Sequence, residues 1–297
     1  MSFSKQSELF IATTKTIPKA PSLETQKPSG VVMLNQRAYR LGRTVGEGNH
    51  ARIFRVVKRP LVAKINGNDI DELAIREGEI LESMKGPGVV RCFDHGTLGD
   101  GRTALILEYV KGVPFSDLVG KVGPSQALVI LRAMARTLEE VHAEGVIHRD
   151  FKPGNVLIDS EGRAKVLDFG LAARIGRHDH FFDQKASGTP RYMAPEQFIP
   201  GAENVTFGLD VYALGVTITQ ALTGMLPFST TNPNKMLYDK MSGTTSANPA
   251  ELIATSKRTA RIRCRHVIAE IVAEMLRVFP EDRPLMDKVN RELNRNP

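Results

Sequence analysis

The sequence predicts an α+β protein in which a smaller, β-rich part precedes a larger part made mostly of α-helices. Apolar and polar residues alternate in several short segments between residues 37 and 110, as in half-buried strands. After Pro124 the apolar residues recur at helical spacing instead, as Leu128, Leu131 and Leu138 do. No internal repeat is apparent, so the two patterns indicate one fold with two differently built parts.

The same two patterns predict the individual elements. Strands are expected at residues 39–45, 53–57, 61–65, 89–93 and 103–109. Helices are expected at residues 70–84, 127–144, 209–223, 234–241, 266–276 and 285–294. Gly46 and Gly48 interrupt the pattern after the first strand and predict a turn there.

The first 35 residues differ from the rest of the chain. Residues 2–30 hold nine Ser or Thr, three Pro and little apolar periodicity. Such a segment cannot bury much apolar surface, so we expect residues 1–35 to form a flexible arm. Residues 36–297 are then expected to form one folded domain.

Composition excludes several classes of protein. The 297 residues are 41% hydrophobic and 25% charged, which is ordinary for a globular protein. Cys92 and Cys264 are too few and too isolated for a disulfide framework or a cysteine metal site. No apolar run reaches the roughly 20 residues of a membrane helix, and no signal peptide is evident. A cytoplasmic location is expected, with a secreted effector as the alternative.

Partners are constrained by charge and by aromatic content. The formal net charge is +7, which could attract nucleic acid or an anionic membrane. The chain has no Trp and only 6% aromatic residues, and basic and aromatic residues do not interleave as in binders of single strands. We therefore expect a basic solvated surface, with no nucleic-acid partner and no membrane span.

The sharpest motif occupies residues 148–155, with the sequence HRDFKPGN, and Asp-Phe-Gly follows at residues 168–170. Transfer of a phosphoryl group is catalysed mainly by positioning and by electrostatic stabilisation. Asp150 could accept the proton of an acceptor hydroxyl, and Lys152 could neutralise charge on the moving phosphoryl group. The oxygens of Asn155 and Asp168 suit Mg²⁺, a hard cation.

On these motifs the chain is identified as a member of the eukaryotic-type protein kinase family, and it resembles bacterial soluble members. The resemblance covers roughly residues 37–295. It implies the two-lobed protein kinase fold, with a small β-rich N-lobe that carries helix C (about 36–110) and a larger α-helical C-lobe (about 111–297). It also implies ATP and Mg²⁺ or Mn²⁺ as cofactors.

The resemblance assigns an ATP-binding set in the first part of the chain. The glycine-rich loop is represented by Gly46, Glu47, Gly48, Ala51 and Ile53, with Ala51 in place of the third glycine. Small residues there let backbone amides approach phosphate oxygens.

Lys64 resembles the lysine that binds the α- and β-phosphates, and Glu77 resembles its partner on helix C. Their separation of 13 residues is shorter than the family leads us to expect. Val62 stands where alanine is usual, which predicts a bulkier adenine pocket. Further ATP contacts are assigned to Leu157 and to the hinge after the gatekeeper Leu107, at Glu108 and Val110.

Other family motifs imply structural or regulatory roles. Residues 188–196 resemble the substrate-facing end of the activation segment, where Thr189 contacts the catalytic pair. Asp210 resembles the aspartate that braces the catalytic loop, and Arg283 resembles the partner of Glu196. The remaining members of this set are His148, Arg149, Phe169, Gly170 and Ser187.

Three functional interpretations remain open at this point. The first is an active serine/threonine protein kinase that transfers the ATP γ-phosphate to Ser/Thr hydroxyls of proteins, with autophosphorylation. Lys152 and Thr189 favour the serine/threonine branch. The second is a kinase of small molecules, and the third is a pseudokinase that acts as a binding module. Both alternatives usually lack motifs that this chain retains. The resemblance to bacterial members also predicts a free-standing kinase.

Two expectations concern specificity and activation. Pro114, Gly154 and Gln220 stand where relatives that select arginine carry acidic residues, so no selection for arginine before the acceptor is expected. Between residues 170 and 188 the only hydroxyl side chain is that of Ser187, so activation is expected to depend little on multi-site phosphorylation. Arg149 could instead pair with Asp179 or Asp183.

Overall fold

The computed structural model describes residues 30–47, 51–67, 72–176, 187–199, 205–228, 230–243, 245 and 248–295. The described chain is an α+β protein, as predicted. Three antiparallel sheets account for its strands, and the longer helices follow the largest sheet in the chain.

The largest sheet has six antiparallel strands. They are β1 (Val31–Leu34), β2 (Arg37–Glu47), β3 (Ala51–Val56), β4 (Leu61–Asn66), β5 (Cys92–Thr97) and β6 (Thr103–Glu108). Their order across the sheet is β1-β2-β3-β4-β6-β5. Every strand pairs with the one before it or after it in the chain, since short turns join antiparallel neighbours, and the pairing of β4 with β6 passes over β5.

Strand β1 corrects the predicted extent of the arm. Val31–Leu34 pairs residue by residue with the start of β2, and Leu34 is buried in the sheet's apolar core with Tyr39 and Leu41. Ordered structure therefore begins within the segment expected to be flexible, because the polar texture of residues 2–30 ends before Val31. Residues 1–29, the rest of the predicted arm, lie outside the described residues.

Helix α1 (Glu72–Ser83) packs against the opposite face of this sheet and buries Ala74, Glu77, Ile80 and Leu81. Its closest approach is at Gly78, where an added Cβ would lie 2.3 Å from Cγ of His95 on β5. Real Cβ atoms do not approach another atom so closely, so the lack of a side chain at Gly78 sets how near α1 lies to the sheet.

The strand predicted at residues 89–93 is wrong in position, because β5 begins at Cys92. The apolar pair Val89 and Val90 instead contacts the second part of the chain. Val90 N donates to Val166 O at 3.0 Å, and Val166 N donates to Gly88 O at 2.7 Å. A short apolar run does not reveal which partner completes its backbone hydrogen bonds.

Short strands and helices connect this sheet to the helical part. They are β7 (Gly112–Pro114), α2 (Phe115–Leu118), β8 (Val146–Ile147), β9 (Val156–Asp159), β10 (Ala164–Val166) and β11 (Ala173–Arg174). Strands β10, β9 and β7 form a three-stranded sheet, and β11 pairs with β8. These pairings hold residues 148–155 between β8 and β9.

The helical part contains α3 (Pro124–Ala143), α4 (Gly208–Thr223), α5 (Pro233–Met241), α6 (Pro249–Thr255), α7 (Arg265–Met275) and α8 (Met286–Asn294). Helix α4 is buried on nearly every side and packs against α3, α6 and α7. Five of the six overlap predicted helices. Helix α6 was not predicted, because its seven residues are too short for a periodic pattern. Within the described residues, no helix is long and apolar enough to cross a bilayer.

Replacing Gly78 with Ala should lower the free energy of unfolding by about 1–3 kcal/mol, as overpacking does. The preference of helices for alanine acts in the opposite direction, by about 1 kcal/mol. Urea unfolding of the Gly78→Ala variant measures the net effect. Gly99→Ala is the matched control, because a Cβ there would have no atom within 4 Å. An unchanged or higher stability of Gly78→Ala would show that the His95 ring moves aside without cost.

Candidate active site

The loop between β8 and β9 brings Asp150 and Lys152 together. Lys152 Nζ donates to Asp150 Oδ2 and, at 2.5 Å, to Thr189 Oγ1. Thr189 in turn donates to Asp150 Oδ1 through its backbone N at 2.8 Å and its hydroxyl at 2.7 Å. The Asp150 carboxylate therefore accepts hydrogen bonds from both Lys152 and Thr189, although Thr189 is 39 positions away in the sequence.

Asn155 lies at the end of a short 3₁₀ turn, Pro153–Asn155, and its side chain is oriented by the same aspartate. Its Nδ2 donates to the backbone carbonyl of Asp150 at 2.9 Å and to Oδ2 at 3.3 Å. Because the amide nitrogen is used in this way, the amide oxygen is left as the atom available to a cation.

Lys64, on β4, connects two carboxylates that come from distant parts of the chain. Its Nζ lies 2.7 Å from Glu77 Oε2 and 2.9 Å from Asp168 Oδ1. The pair predicted with Glu77 is thus present despite the short connection, since the close approach of α1 to the sheet brings Glu77 within reach.

The charges of this group depend on one another. Burial alone would lower the pKa of Lys64, but Glu77 and Asp168 more than offset it and the pKa is raised above the usual lysine range. Burial would likewise raise the pKa of Asp168, yet Lys64 outweighs that effect and the pKa is lowered. At neutral pH the ammonium and the Asp168 carboxylate are therefore both ionised.

Asp168 has a left-handed backbone, with φ of 61°, which few residues other than glycine adopt. The conformation separates the two neighbouring side chains. Phe169 is buried and its ring lies 4.8 Å from that of His148, whereas 51% of the Asp168 side chain is exposed. A Cβ at Gly170 would lie only 3.5 Å from Asp168 Oδ1, so glycine leaves space beside the carboxylate.

The loop between β8 and β9 is anchored by Asp210, on α4, whose side chain is fully buried. Its Oδ2 accepts from His148 N at 2.8 Å, and its Oδ1 accepts from Arg149 N at 2.9 Å. His142 Nε2 lies 2.9 Å from Oδ2. Burial would raise the pKa of Asp210, but the hydrogen bond and charge of His142 reverse the effect and the pKa is lowered.

Arg149 adopts φ of 66°, a strained value for a side chain of this size, and the bond from its amide to Asp210 holds it there. Its side chain is buried. That burial, together with the nearby charge of Arg76, lowers the pKa of Arg149 to about 10. Asp179 and Asp183, its predicted partners, lie outside the described residues.

Residues 187–199 are fixed at their far end by a buried ion pair. Arg283 Nη1 lies 2.5 Å from Glu196 Oε1, and Arg283 Nη2 lies 2.8 Å from Oε2. Two parallel bonds of this kind hold a carboxylate in one orientation. Gln197 Nε2 holds the start of this segment against the loop of Asp150, because it donates to the carbonyls of Arg149 and Ser187, each at 2.6 Å.

The predicted glycine-rich loop is only partly described. Gly46 and Glu47 end β2 and pair with Ile53 and Arg52 of β3, while Ala51 begins β3. Gly48 lies outside the described residues. The carboxylate of Glu47 forms an exposed ion pair with Arg52 at 2.9 Å. The described residues thus include both strands of the predicted hairpin.

The remaining predicted ATP contacts lie at the end of β6 and close to it. Val62 is paired with Leu107 across β4 and β6, and both are buried. The carboxylate of Glu108 is 2.9 Å from Lys165 Nζ, so it is already paired. Among the described residues, the backbone N–H of Val110 has no hydrogen-bond partner and is available to a ligand.

Leu157 lies on β9 and pairs with Pro114 and Lys165. Of the positions used to predict acceptor specificity, Gln220 accepts a hydrogen bond from the Tyr192 hydroxyl at 2.7 Å. Its amide is therefore committed to the segment that follows Thr189.

Sequence reasoning missed three side chains that complete the site. His142 supports Asp210, Gln197 supports the backbone of Arg149, and Lys240 contacts the segment after Thr189. Only His142 had a local signal, since it lies six positions before His148. The other two are polar residues whose importance depends on contacts across the fold.

Comparison with known proteins agrees with this geometry. A family model described as the protein kinase domain matches residues 39–292. The chain belongs to the protein kinase family. The match includes nearly all of the described structure, together with every site residue named above.

Curated relatives of this kinase-family chain are bacterial in several cases. A probable serine/threonine-protein kinase of Corynebacterium efficiens is 29% identical over 263 residues, which are 82% of this chain and 39% of that protein. Serine/threonine-protein kinase PknA of Mycobacterium tuberculosis is 31% identical over 208 residues, or 64% of this chain and 48% of PknA. Serine/threonine-protein kinase pkn2 of Myxococcus xanthus is 33% identical over 69% of this chain and 26% of its own length. The chain thus spans less than half of each relative.

The Asp210→Asn substitution in this kinase-family chain should lower the free energy of unfolding at pH 7 by about 3 kcal/mol, because an amide NH₂ would face backbone N–H groups that need an acceptor. Since the pKa of Asp210 is lowered in the folded protein, its contribution is present above the ordinary aspartate value near 4 and is lost as pH falls through the folded value.

Urea unfolding from pH 7 to about pH 2 tests this: the difference in free energy of unfolding between the two proteins should stay constant down to about pH 4 and narrow below it. Asp287→Asn is the control, since the Asp287 side chain is 55% exposed and pairs only with Arg291. If Asp210→Asn lowers the free energy of unfolding no more than Asp287→Asn does, the buried carboxylate does not anchor the loop.

Proposed function

We propose that the chain is a serine/threonine protein kinase that transfers the γ-phosphate of ATP to Ser or Thr hydroxyls of proteins. The observation that carries the proposal is the shared environment of Asp150. The carboxylate is held by Lys152 and Asn155 at Oδ2 and by Thr189 at Oδ1. An acceptor hydroxyl beside Asp150 would lie next to both a base, the Asp150 carboxylate, and a positive charge, the Lys152 ammonium.

The roles of the side chains follow from their charges. Asp150 orients the acceptor hydroxyl and receives its proton, while Lys152 stabilises negative charge that develops on the transferred group. Lys64, whose position is maintained by Glu77, binds the phosphates of ATP. Because the ammonium and its partner are both desolvated, the charge acts strongly on a phosphate placed beside it.

Asn155 and Asp168 would hold the divalent cation. An amide oxygen and an ionised carboxylate are the hard ligands that Mg²⁺ and Mn²⁺ accept, and Gly170 leaves space beside Asp168. The bound cation would supply neutralisation of phosphate charge during transfer. Asn155 keeps its oxygen oriented through the bonds that its nitrogen makes to Asp150.

The proposal includes two lobes. An N-lobe would consist of the six-stranded sheet with α1 as helix C, and a C-lobe would contain the helices from α3 onward. ATP would bind between them, beneath the β2–β3 hairpin, with adenine against Val62 and the backbone of Val110. The available N–H of Val110 supports this arrangement. We place the reaction in the cytoplasm, where ATP is supplied; both Cys92 and Cys264 are free thiols.

One observation favours a protein acceptor over a small molecule. Residues 187–199 lie beside Asp150 and are held by Thr189 at one end and by the Glu196–Arg283 pair at the other. A surface of this kind suits an extended polypeptide. A pseudokinase would not need the complete set of charged groups around Asp150 and Lys64.

The Asp150→Asn variant should transfer phosphate on the order of 10²–10⁴ times more slowly than the wild type, the range for loss of a positioned base. Labelled phosphate transferred from ATP to casein or myelin basic protein is the measurement. Asp117→Asn, at an exposed position in α2, is the control and should keep full activity. Transfer by wild type to kanamycin or choline but to no protein would favour the second interpretation. Near wild-type transfer by Asp150→Asn would show that Asp150 is not the base.

Autophosphorylation should fall within residues 1–35. That segment is rich in hydroxyls, and tethering gives it a high effective concentration at the site. Mass spectrometry after incubation with ATP and Mg²⁺ locates the phosphate, and Asp150→Asn serves as the inactive control. Phosphate found only in residues 36–297 would contradict this.

A further inference from the structure

Lys240, near the end of helix α5, is buried to an extent that is unusual for lysine. Only 2% of the residue is exposed. Lysines are almost never buried completely unless they are paired, because removing the ammonium from water is costly. Among the described residues, however, no carboxylate lies within ion-pair distance of Lys240 Nζ.

Backbone carbonyls take the place of a counter-ion. Lys240 Nζ donates to the carbonyl oxygens of Pro190 at 2.9 Å and of Arg191 at 3.4 Å, and it also donates to that of Met193. These three residues lie within the four positions that follow Thr189. The backbone N–H groups of Tyr192 and Met193 both return to Thr189 O, so the segment is a tight turn that directs carbonyls inward.

Aromatic rings surround the same ammonium. Nζ lies 5.1 Å from the ring centre of Phe228, 5.2 Å from that of Tyr212 and 5.6 Å from that of Phe198. Each distance is within the range of a cation–π contact. Tyr212 lies on α4, whereas Phe198 and Phe228 lie in two other segments of the chain, so Lys240 connects three segments to the turn.

We propose that Lys240 is a positioning residue for the protein acceptor, because its ammonium fixes the shape of the turn 190–193 beside Asp150. The inference rests on the proposed kinase function and names the device that shapes its acceptor surface. The link to the reaction is short. Thr189, immediately before the turn, bonds to Asp150 through both its backbone N and its hydroxyl.

The three carbonyls and three rings around Nζ explain why lysine is used at this position. An apolar side chain would fill the space between three rings without a desolvation cost, but it would leave three carbonyls without a donor. An ammonium has three N–H bonds and can serve all three. A lysine retained at a buried site with this cost is consistent with a geometric role at the turn.

The proposal implies a dependence on pH. Burial lowers the pKa of Lys240 to about 7; Glu196 opposes this and Arg283 adds to it. The other titratable group against the ammonium, the Tyr212 hydroxyl, stays neutral because burial raises its pKa. Above pH 7 the neutral amine keeps only two N–H bonds, so the turn should loosen and KM for a protein acceptor should rise.

The test compares Lys240→Met with Lys235→Met, a matched change one turn earlier on α5. The Lys235 side chain is 62% exposed and pairs with Asp239 instead of the turn. We expect Lys240→Met to raise KM for casein at pH 6.5 at least tenfold, with KM for ATP and the rate of ATP hydrolysis to water changed less than twofold. Lys235→Met should change none of these. A KM for casein within twofold of wild type would overturn the proposal.

Two further measurements avoid reliance on one variant. In the wild type, KM for casein should rise through a single ionisation near pH 7, and a flat profile from pH 6 to pH 8.5 would count against Lys240. Hydrogen exchange of the amides of residues 191–198 requires no activity. If these amides exchange at the same rate in Lys240→Met and wild type, the inference fails even for an active enzyme. If the amides exchange faster in Lys240→Met than in wild type, while wild type phosphorylates no protein, the contact is real and only the proposed function fails.

Discussion

The fully buried carboxylate of Asp210 is the interaction on which the rest of the site depends. It lies on α4, a helix that is buried on nearly every side, and accepts hydrogen bonds from two backbone N–H groups of the loop that carries Asp150. A buried charge is tolerated only where hydrogen bonds replace water. Because those bonds come from the loop's own backbone, the cost of burying Asp210 is offset by the same contacts that hold the loop in place.

Other charged groups in the protein are likewise balanced by bonds to residues that are distant in the sequence. Lys64 lies between Glu77 and Asp168, and Arg283 forms two bonds to Glu196. Each buried charge meets partners from a different region of the chain. Removing one member would leave the other uncompensated, so these groups define one arrangement of the sheet, α1 and the helical part more sharply than apolar packing could.

Lys240 differs from these pairs because carbonyls and rings replace the carboxylate. Such an environment holds an ammonium less firmly than an ion pair does, which is why its pKa falls to about 7 while that of Lys64 rises. Burial lowers the pKa of both lysines, but only for Lys64 is that effect outweighed. The difference is that Lys64 has carboxylates within ion-pair distance.

The sequence alone determined the α+β class, most long elements and the identities of the charged residues around Asp150. These signals are local, since periodicity and motif spacing are read within a few turns of chain. The tertiary structure decided where β1 begins, that Val89 and Val90 pair with β10, and how Glu77 reaches Lys64 across a short connection. It also decided that His142, Gln197 and Lys240 belong to the site. Each of these depends on contacts between distant segments, for which no local pattern exists.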